Sequence, residues 1–277
     1  MTYKDYLLAA KHINHNDEKV NKIILLYFIE KDLSWLYANM DAEIENTFLE
    51  QYLLLIEKYI TGYPLQYIIR YEYFYGNKFF VDNRVLIPRS ETEELVNYVF
   101  DYAKNIFHDD KLSILDLGTG SGAIAISIAL AKPQWKVVAS DISIAALEVA
   151  KINCKNYNLN NIRFIESDLF SNLKNHKFNI IISNPPYIDE TSDTYLMSNL
   201  QYEPKSALFA EENGLLLYKL IFQRCSEFVT KPFLLAFEFG FDQKKALEIL
   251  VKKYLYNYHY QFVKDINGKW RMLFVWQ

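Results

Sequence analysis

Between residues 91 and 254, short apolar runs alternate with stretches of helical period, and that alternation restricts the chain to few folds. The pattern predicts helix 91–107, strand 112–117, helix 122–131, strand 136–141, helix 143–157, strand 162–166, strand 178–183, helix 214–229, strand 232–239 and helix 242–254. Two closing strands follow at 258–264 and 270–276. Strands separated by helices pair in parallel, so the expected fold class is α/β, a doubly wound sheet with ligands at the carboxyl ends of its strands.

From Tyr3 to about Ile60, apolar residues recur at helical spacing, as in Ile23/Leu26/Tyr27 and Tyr52/Leu55/Ile56/Tyr59, which reads as a small helical bundle. Gly62-Tyr63-Pro64 interrupts it, and Tyr71 to Val81 reads as aromatic-rich strands around Gly76-Asn77, a hairpin. The expected organisation is a helical bundle at 1–70, a β-hairpin linker at 71–88 and the α/β domain at 89–277. With 51% apolar and 23% charged residues, the chain is not a disordered one. Residues 1–75 carry 11 acidic and 7 basic side chains and so supply the whole net charge of −4. No basic stripe is visible, so direct nucleic-acid binding is not expected. Met1-Thr2-Tyr3-Lys4-Asp5 lacks the basic and apolar character of a signal peptide, and the longest apolar runs, such as Ile23 to Ile29, are too short to span a bilayer. A cytoplasmic protein with no membrane partner is expected. Cys154 and Cys225 fall in helix-like stretches and read as buried free thiols; they and five scattered histidines form no metal site, so no metal is expected.

Ile114-Leu115-Asp116-Leu117-Gly118-Thr119-Gly120-Ser121-Gly122 runs from a strand into a helix. Glycines at alternate positions permit positive φ and let a ligand approach the backbone, and the G-x-G-x-G spacing differs from the dinucleotide fingerprint. The loop reads as a cradle for a cofactor without a pyrophosphate. Asp141 ends the next strand, where a carboxylate can accept both hydroxyls of a ribose; it can equally cap the helix that starts at Ser143. Asp168 and Leu169 follow the third strand, placed to meet an adenine.

Strand 178–183 runs into Ser183-Asn184-Pro185-Pro186-Tyr187. Each proline restricts the residue before it to extended conformations, which makes the loop rigid. An amide or aromatic amine is a poor nucleophile because its lone pair is delocalised. An enzyme that methylates one must orient both N–H bonds so that the lone pair turns toward the methyl donor. The Asn184 side-chain oxygen and the Pro185 carbonyl are acceptors suited to two N–H groups, and Tyr187 can stack on a flat substrate. Positioning of this kind can supply roughly 7–11 kcal/mol of a barrier without a strong base.

Together these motifs resemble class I S-adenosylmethionine-dependent methyltransferases, and Asn-Pro-Pro-Tyr narrows the resemblance to DNA adenine-N6 and protein glutamine-N5 methyltransferases. Gly62 to Ile68, Phe79-Phe80-Val81, Val85 to Glu93, Tyr202 to Leu208 with Gly214-Leu215, Phe237 to Gly240 and Asp265 to Arg271 resemble segments of the release-factor glutamine methyltransferases, the HemK/PrmC family. That resemblance implies a seven-stranded Rossmann-like sheet whose last strand is antiparallel. It implies methyl transfer from S-adenosylmethionine, leaving S-adenosylhomocysteine, to the glutamine amide of the Gly-Gly-Gln motif in peptide chain release factors, by a protein expected to be a monomer.

Carried onto this chain, Gly118, Thr119, Gly120, Ser121 and Gly122 would hold the cofactor's methionine part, Asp141 its ribose, and Asp168 and Leu169 its adenine. Asn184, also beside the cofactor, would with Pro185 be catalytic, and Asn184, Pro185, Pro186 and Tyr187 would bind the glutamine. Arg89 and Glu91 either line the site or touch the release factor, or else are ordinary helix-start residues; Glu203 is placed to brace the catalytic loop. Ser90 stands where the family has proline and, with Glu93, suggests a capping box. Phe209-Ala210-Glu211 replaces the family's glycine pair. An adenine-N6 nucleic-acid methyltransferase and a catalytically idle binding protein of the same fold are the alternative readings.

Overall fold

The computed structural model describes residues 1–15, 17–108, 111–189, 191 and 199–277. Two compact units are formed, a smaller one of Met1–Tyr71 with 199–202 and a larger one of the other described residues.

The smaller unit comprises α1 (Tyr3–Ile13), α2 (Glu18–Ile29), α3 (Leu33–Ala38), α4 (Leu49–Ile60) and α5 (Leu65–Ile69). Side chains at the starts of the first three helices take up orphan N–H groups: Thr2 and Asp5 make a capping box, Asp17 accepts from the Val20 N–H, and Asp32 from the Trp35 N–H. The helices close over Tyr6, Ile24, Leu25, Leu36, Tyr52 and Ile56, all fully buried. Each buried tyrosine hydroxyl finds a backbone acceptor, Tyr6 on Glu45 and Tyr52 on Asn21. Helix α5 is absent from the sequence reading because five residues are too few to show a period.

A hairpin, β1 (Tyr71–Phe74) and β2 (Asn77–Phe80), begins at the last residue of the smaller unit and otherwise belongs to the larger one, where α6 (Ser90–Ile106) follows, and then β3 (Ser113–Leu117), α7 (Ala123–Ala131), β4 (Lys136–Asp141), α8 (Ile144–Asn156), β5 (Ile162–Glu166) and β6 (Phe178–Ser183). Short turns α9 (Lys205–Leu208) and α10 (Glu211–Gly214) lead to α11 (Leu216–Arg224), β7 (Val229–Glu238), α12 (Lys244–Tyr254), β8 (His259–Lys264) and β9 (Trp270–Trp276). The seven-stranded sheet has the order β5-β4-β3-β6-β7-β9-β8, parallel except for β9, which runs antiparallel to both neighbours. This is the doubly wound sheet the alternation implied.

Strand alternation divides the core. Ile114, Ile180, Ile182, Leu234, Ala236 and Phe274 pack with residues of α6 and α7 on one face, and Leu115, Ile181, Leu235, Phe237 and Leu273 with residues of α11 and α12 on the other. Both cysteines are buried and free. Among the described residues no helix is long and apolar enough to cross a membrane.

The structure corrects two local expectations. Ser90 is the first residue of α6 and makes no cap; Glu93 accepts the Tyr75 N–H of the hairpin at 2.9 Å, so the Ser90–Glu93 capping box does not form. Helix 214–229 is shorter, because Val229 already pairs with Phe178 as the start of β7.

Candidate active site

The chain runs from β3 outward through β4 and β5, then returns to β6 on the other side of β3. The loops after β3 and β6 therefore part at their carboxyl ends and leave a crevice. A cavity of about 410 Å³ lies there, within the size range of cofactor pockets, lined by Gly118, Gly120, Asp141, Asp168, Leu169, Asn184, Pro185 and Pro186 among others.

The glycine loop is fixed by its own backbone. Gly118 and Thr119 N–H groups both donate to the Ser140 carbonyl at 2.9 Å, and Gly120 donates to the Asp141 carboxylate at 2.8 Å. Gly118 and Gly120 have φ of +77° and +55°, and a Cβ on either would meet no protein atom within 4 Å. Both border the cavity, so the space a side chain would take there is the crevice itself. Gly122 differs: a Cβ would stand 2.9 Å from Ile126 and 3.1 Å from Ala150, so this glycine lets α7 and α8 approach. Thr119 and Ser121 are buried and do not line the cavity.

Asp141 accepts from Gly120 with one oxygen and from Ser143 N–H with the other, while Ser143 itself caps α8 through the Ala146 N–H. Burial raises the Asp141 carboxyl, opposed by those backbone donors. Beneath the loop Asp116 is fully buried; its Oδ2 accepts from Thr119 at 2.6 Å and from Ala125 N–H at 3.1 Å. Its Oδ1 has no partner among the described residues, and burial pushes the carboxyl up to about 7. Beyond β5, Leu169 adopts a φ of +45°, a conformation that Ser167 supports by donating to the Leu169 carbonyl at 2.7 Å. Asp168 is exposed at the rim.

The Asn184 loop is anchored on both sides. Ser183 donates to the Leu117 carbonyl at 2.6 Å, tying it to β3. The Asn184 amide nitrogen donates to Thr92 at 3.1 Å, and Thr92 donates to the buried Glu238 at 2.6 Å. Tyr187 turns away from the cavity: its hydroxyl lies 3.5 Å from Glu238, and burial raises its pKa. Its carbonyl accepts from Gln243 at 2.9 Å, and a Cβ on Gly214 would lie 2.0 Å from that oxygen, so only glycine fits. Arg89 pairs with Glu203, which also accepts the Ile87 N–H at 3.0 Å. Glu203 thus braces the Ile87–Arg89 segment and not the Asn184 loop, where it was expected. Glu91 accepts from Ser90 and lies in a separate depression with Lys264. Neither Arg89 nor Glu91 lines the cavity.

Two family models match the chain: the PrmC N-terminal domain over residues 5–69 and the methyltransferase small domain over 102–219. The release factor glutamine methyltransferase of Mycoplasma mycoides subsp. mycoides SC is 38% identical over 91% of this chain and 90% of its own length. This chain belongs to the release factor glutamine methyltransferase family. The relative of the same name from Bacillus cereus is 38% identical over 94% and 93%. Among solved structures, the T. thermophilus 16S rRNA N2 G1207 methyltransferase, in complex with AdoMet and guanosine, shares the fold, with a TM-score of 0.53 and 14% identity over 75% of this chain and 49% of that one.

At the departure from the family's glycine pair, Ala210 is extended at φ −139°. Left-handed conformations fall on Glu212 and Asn213, with φ of +56° and +57°. Arg84 borders the cavity, paired with Asp82 at 2.8 Å and Glu148 at 3.2 Å. Sequence reading missed Arg84, Thr92, Asp116, Gly214, Glu238 and Gln243 as site residues. Glu238 had a signal, a lone carboxyl ending the apolar run Leu234-Leu235-Ala236-Phe237. Gln243 had none, since the Tyr187 and Asn213 carbonyls that its side-chain nitrogen reaches lie 56 and 30 positions away.

Proposed function

We propose that this protein transfers a methyl group from S-adenosylmethionine to the side-chain amide nitrogen of the glutamine in the Gly-Gly-Gln motif of peptide chain release factors. One observation carries the reading: the glycine loop, Asp141 and the pair Asn184 and Pro185 open on the same cavity. The residues fit the cofactor. Gly118 and Gly120 leave open space for a ligand chain, Asp141 has lone pairs for ribose hydroxyls, and Asp168 and Leu169 line the same cavity and would meet the adenine. The unpartnered Asp116 oxygen lies beneath a loop that would hold a cationic ligand, and a positive charge bound there would favour the ionised form that burial opposes. When bound, S-adenosylmethionine supplies an electrophilic methyl group.

The chain's own contribution is orientation. The Asn184 oxygen and the Pro185 carbonyl accept the two N–H bonds of the glutamine amide, so its lone pair faces the methyl carbon. Charge developing on that nitrogen strengthens both hydrogen bonds in the transition state, which is where a catalyst gains, and one of the two amide protons then leaves to solvent so that the methylated amide is neutral. Leu169, Phe209 and Leu217 give the cavity apolar walls that limit water. Tyr187 holds the loop from behind, and residues 1–70 recognise the release factor, with Arg89 and Glu91 facing it outside the cavity. The protein works in the cytoplasm as a monomer.

Labelled methyl from S-adenosylmethionine should appear on a purified release factor and not on its Gln→Asn variant or on duplex DNA. Label on DNA would favour an adenine-N6 enzyme, and bound cofactor without transfer would favour an idle binding protein.

A further inference from the structure

We propose that Thr92 and Glu238 form a hydrogen-bond relay that determines which end of the Asn184 amide faces the substrate. The proposal rests on the amide-methylation reading above and assigns positioning roles to two residues that do not border the cavity.

Thr92 and Glu238 are 5% and 2% exposed, so water does not substitute for their partners. A threonine hydroxyl has one proton, and an ionised carboxylate only accepts. Glu238 therefore takes the Thr92 proton, at 2.6 Å, and leaves the Thr92 oxygen as an acceptor. The Asn184 group 3.1 Å from it must then be the NH₂ end. A turned amide would set oxygen against oxygen inside and present N–H bonds to a substrate that itself offers N–H bonds. Among the described residues the Asn184 oxygen makes no hydrogen bond, which leaves it for the substrate.

The relay depends on the charge of Glu238. A neutral Glu238 can donate to Thr92, freeing the threonine proton for a turned amide. The groups facing Glu238 are Thr92 and Glu91 on α6, Asn184 and Tyr187 on the loop, Tyr218 on α11 and Arg271 on β9. Tyr218 donates to the Glu238 backbone carbonyl at 2.6 Å and does not compete for the carboxylate. Burial pushes the carboxyl up to about 7, against the Thr92 donor, the Arg271 charge and a weaker hydrogen bond from the Asn184 amide itself, so the relay loses its polarity as pH falls through about 7.

The test compares Thr92→Val, Thr92→Ser and Glu238→Gln in the full chain, with wild-type transfer to a release factor as the control. Thr92→Val should lower kcat by about tenfold or more, with KM and cofactor affinity nearly unchanged. Thr92→Ser should stay within about threefold of wild type. The acid limb of the wild-type kcat profile should vanish in Glu238→Gln. Carbon-13 NMR of the Glu238 carboxyl should show its pKa rising in Thr92→Val and not in Thr92→Ser. Wild-type kcat in Thr92→Val, or a Glu238 titration unmoved by it, would overturn the relay. Should the wild-type protein methylate no release factor, the functional reading fails and the carboxyl titration alone decides the relay.

Discussion

In the proposed mechanism Asn184 does two jobs with one amide. Its nitrogen ties the loop to Thr92 on α6, and its oxygen would accept from the substrate. Asn184→Ala should therefore keep cofactor affinity while lowering turnover roughly 100-fold or more, the scale of losing one preorganised hydrogen-bonding group. Equilibrium binding beside single-turnover transfer checks this, and near-normal turnover would remove Asn184 from the mechanism. Asp141 is the complementary case, since its two oxygens hold Gly120 and Ser143 before any ligand arrives. Asp141→Ala should weaken cofactor binding by about 2–3 kcal/mol through lost charge-assisted hydrogen bonds. Unchanged affinity in a calorimetric titration would reduce Asp141 to a loop brace. The place of both residues at the cavity was legible in sequence because Asp141 ends an apolar strand of a doubly wound pattern and Asn184 directly follows one. Thr92 was not, because its partners lie 92 and 146 positions away.

Among the elements, α8 does more than cover the sheet. Asn153, fully buried in it, accepts the Phe80 N–H at 2.7 Å, donates to the Phe80 carbonyl at 3.0 Å and donates to the Ser121 carbonyl at 2.9 Å. One side chain thus joins the hairpin, the helix and the glycine loop. Asn153→Ala leaves the buried Ser121 carbonyl and two part-buried groups of Phe80 without this partner, and a buried unpaired group costs about 1–3 kcal/mol. We expect a loss of about 2–3 kcal/mol in denaturant unfolding, with a parallel drop in cofactor affinity. A variant with the wild-type unfolding midpoint would show that water replaces the side chain. The sequence reading identified the hairpin from Gly76-Asn77 and its aromatic flanks. It offered no sign of this attachment, since an asparagine in a helix is ordinarily read as a solvent-facing residue. In the segment 209–214, where the sequence departs from the family pattern, Ala210 is extended and the left-handed conformations fall on Glu212 and Asn213.

Two carboxyls on strands of the large sheet, Asp116 in β3 and Glu238 at the end of β7, are buried and each is pushed up to about 7 by that burial. In the unfolded chain both ionise near pH 4. The native state thus binds more protons between about pH 4 and 7, and stability present below that window is lost as pH rises through it. Thermal unfolding of the ligand-free protein should show that fall, on the order of 1 kcal/mol per pH unit for each group, and the Asp116→Asn/Glu238→Gln double variant should flatten it. A wild-type profile without a slope from pH 5 to 7 would mean that neither carboxyl is held neutral by the fold. Such strain is compatible with a stable protein because two extensive apolar clusters flank the sheet. By itself the sequence determined the alternating elements, the doubly wound class, the glycine cradle and the rigid Asn184 loop, since periodicity, glycine and proline act over a few residues. The tertiary structure alone decided which loops meet at the β3–β6 crevice, that Glu203 serves Arg89, and that Glu238 and Thr92 stand behind Asn184. Those pairings depend on strand order and burial, which bring distant positions together and make their hydrogen bonds obligatory.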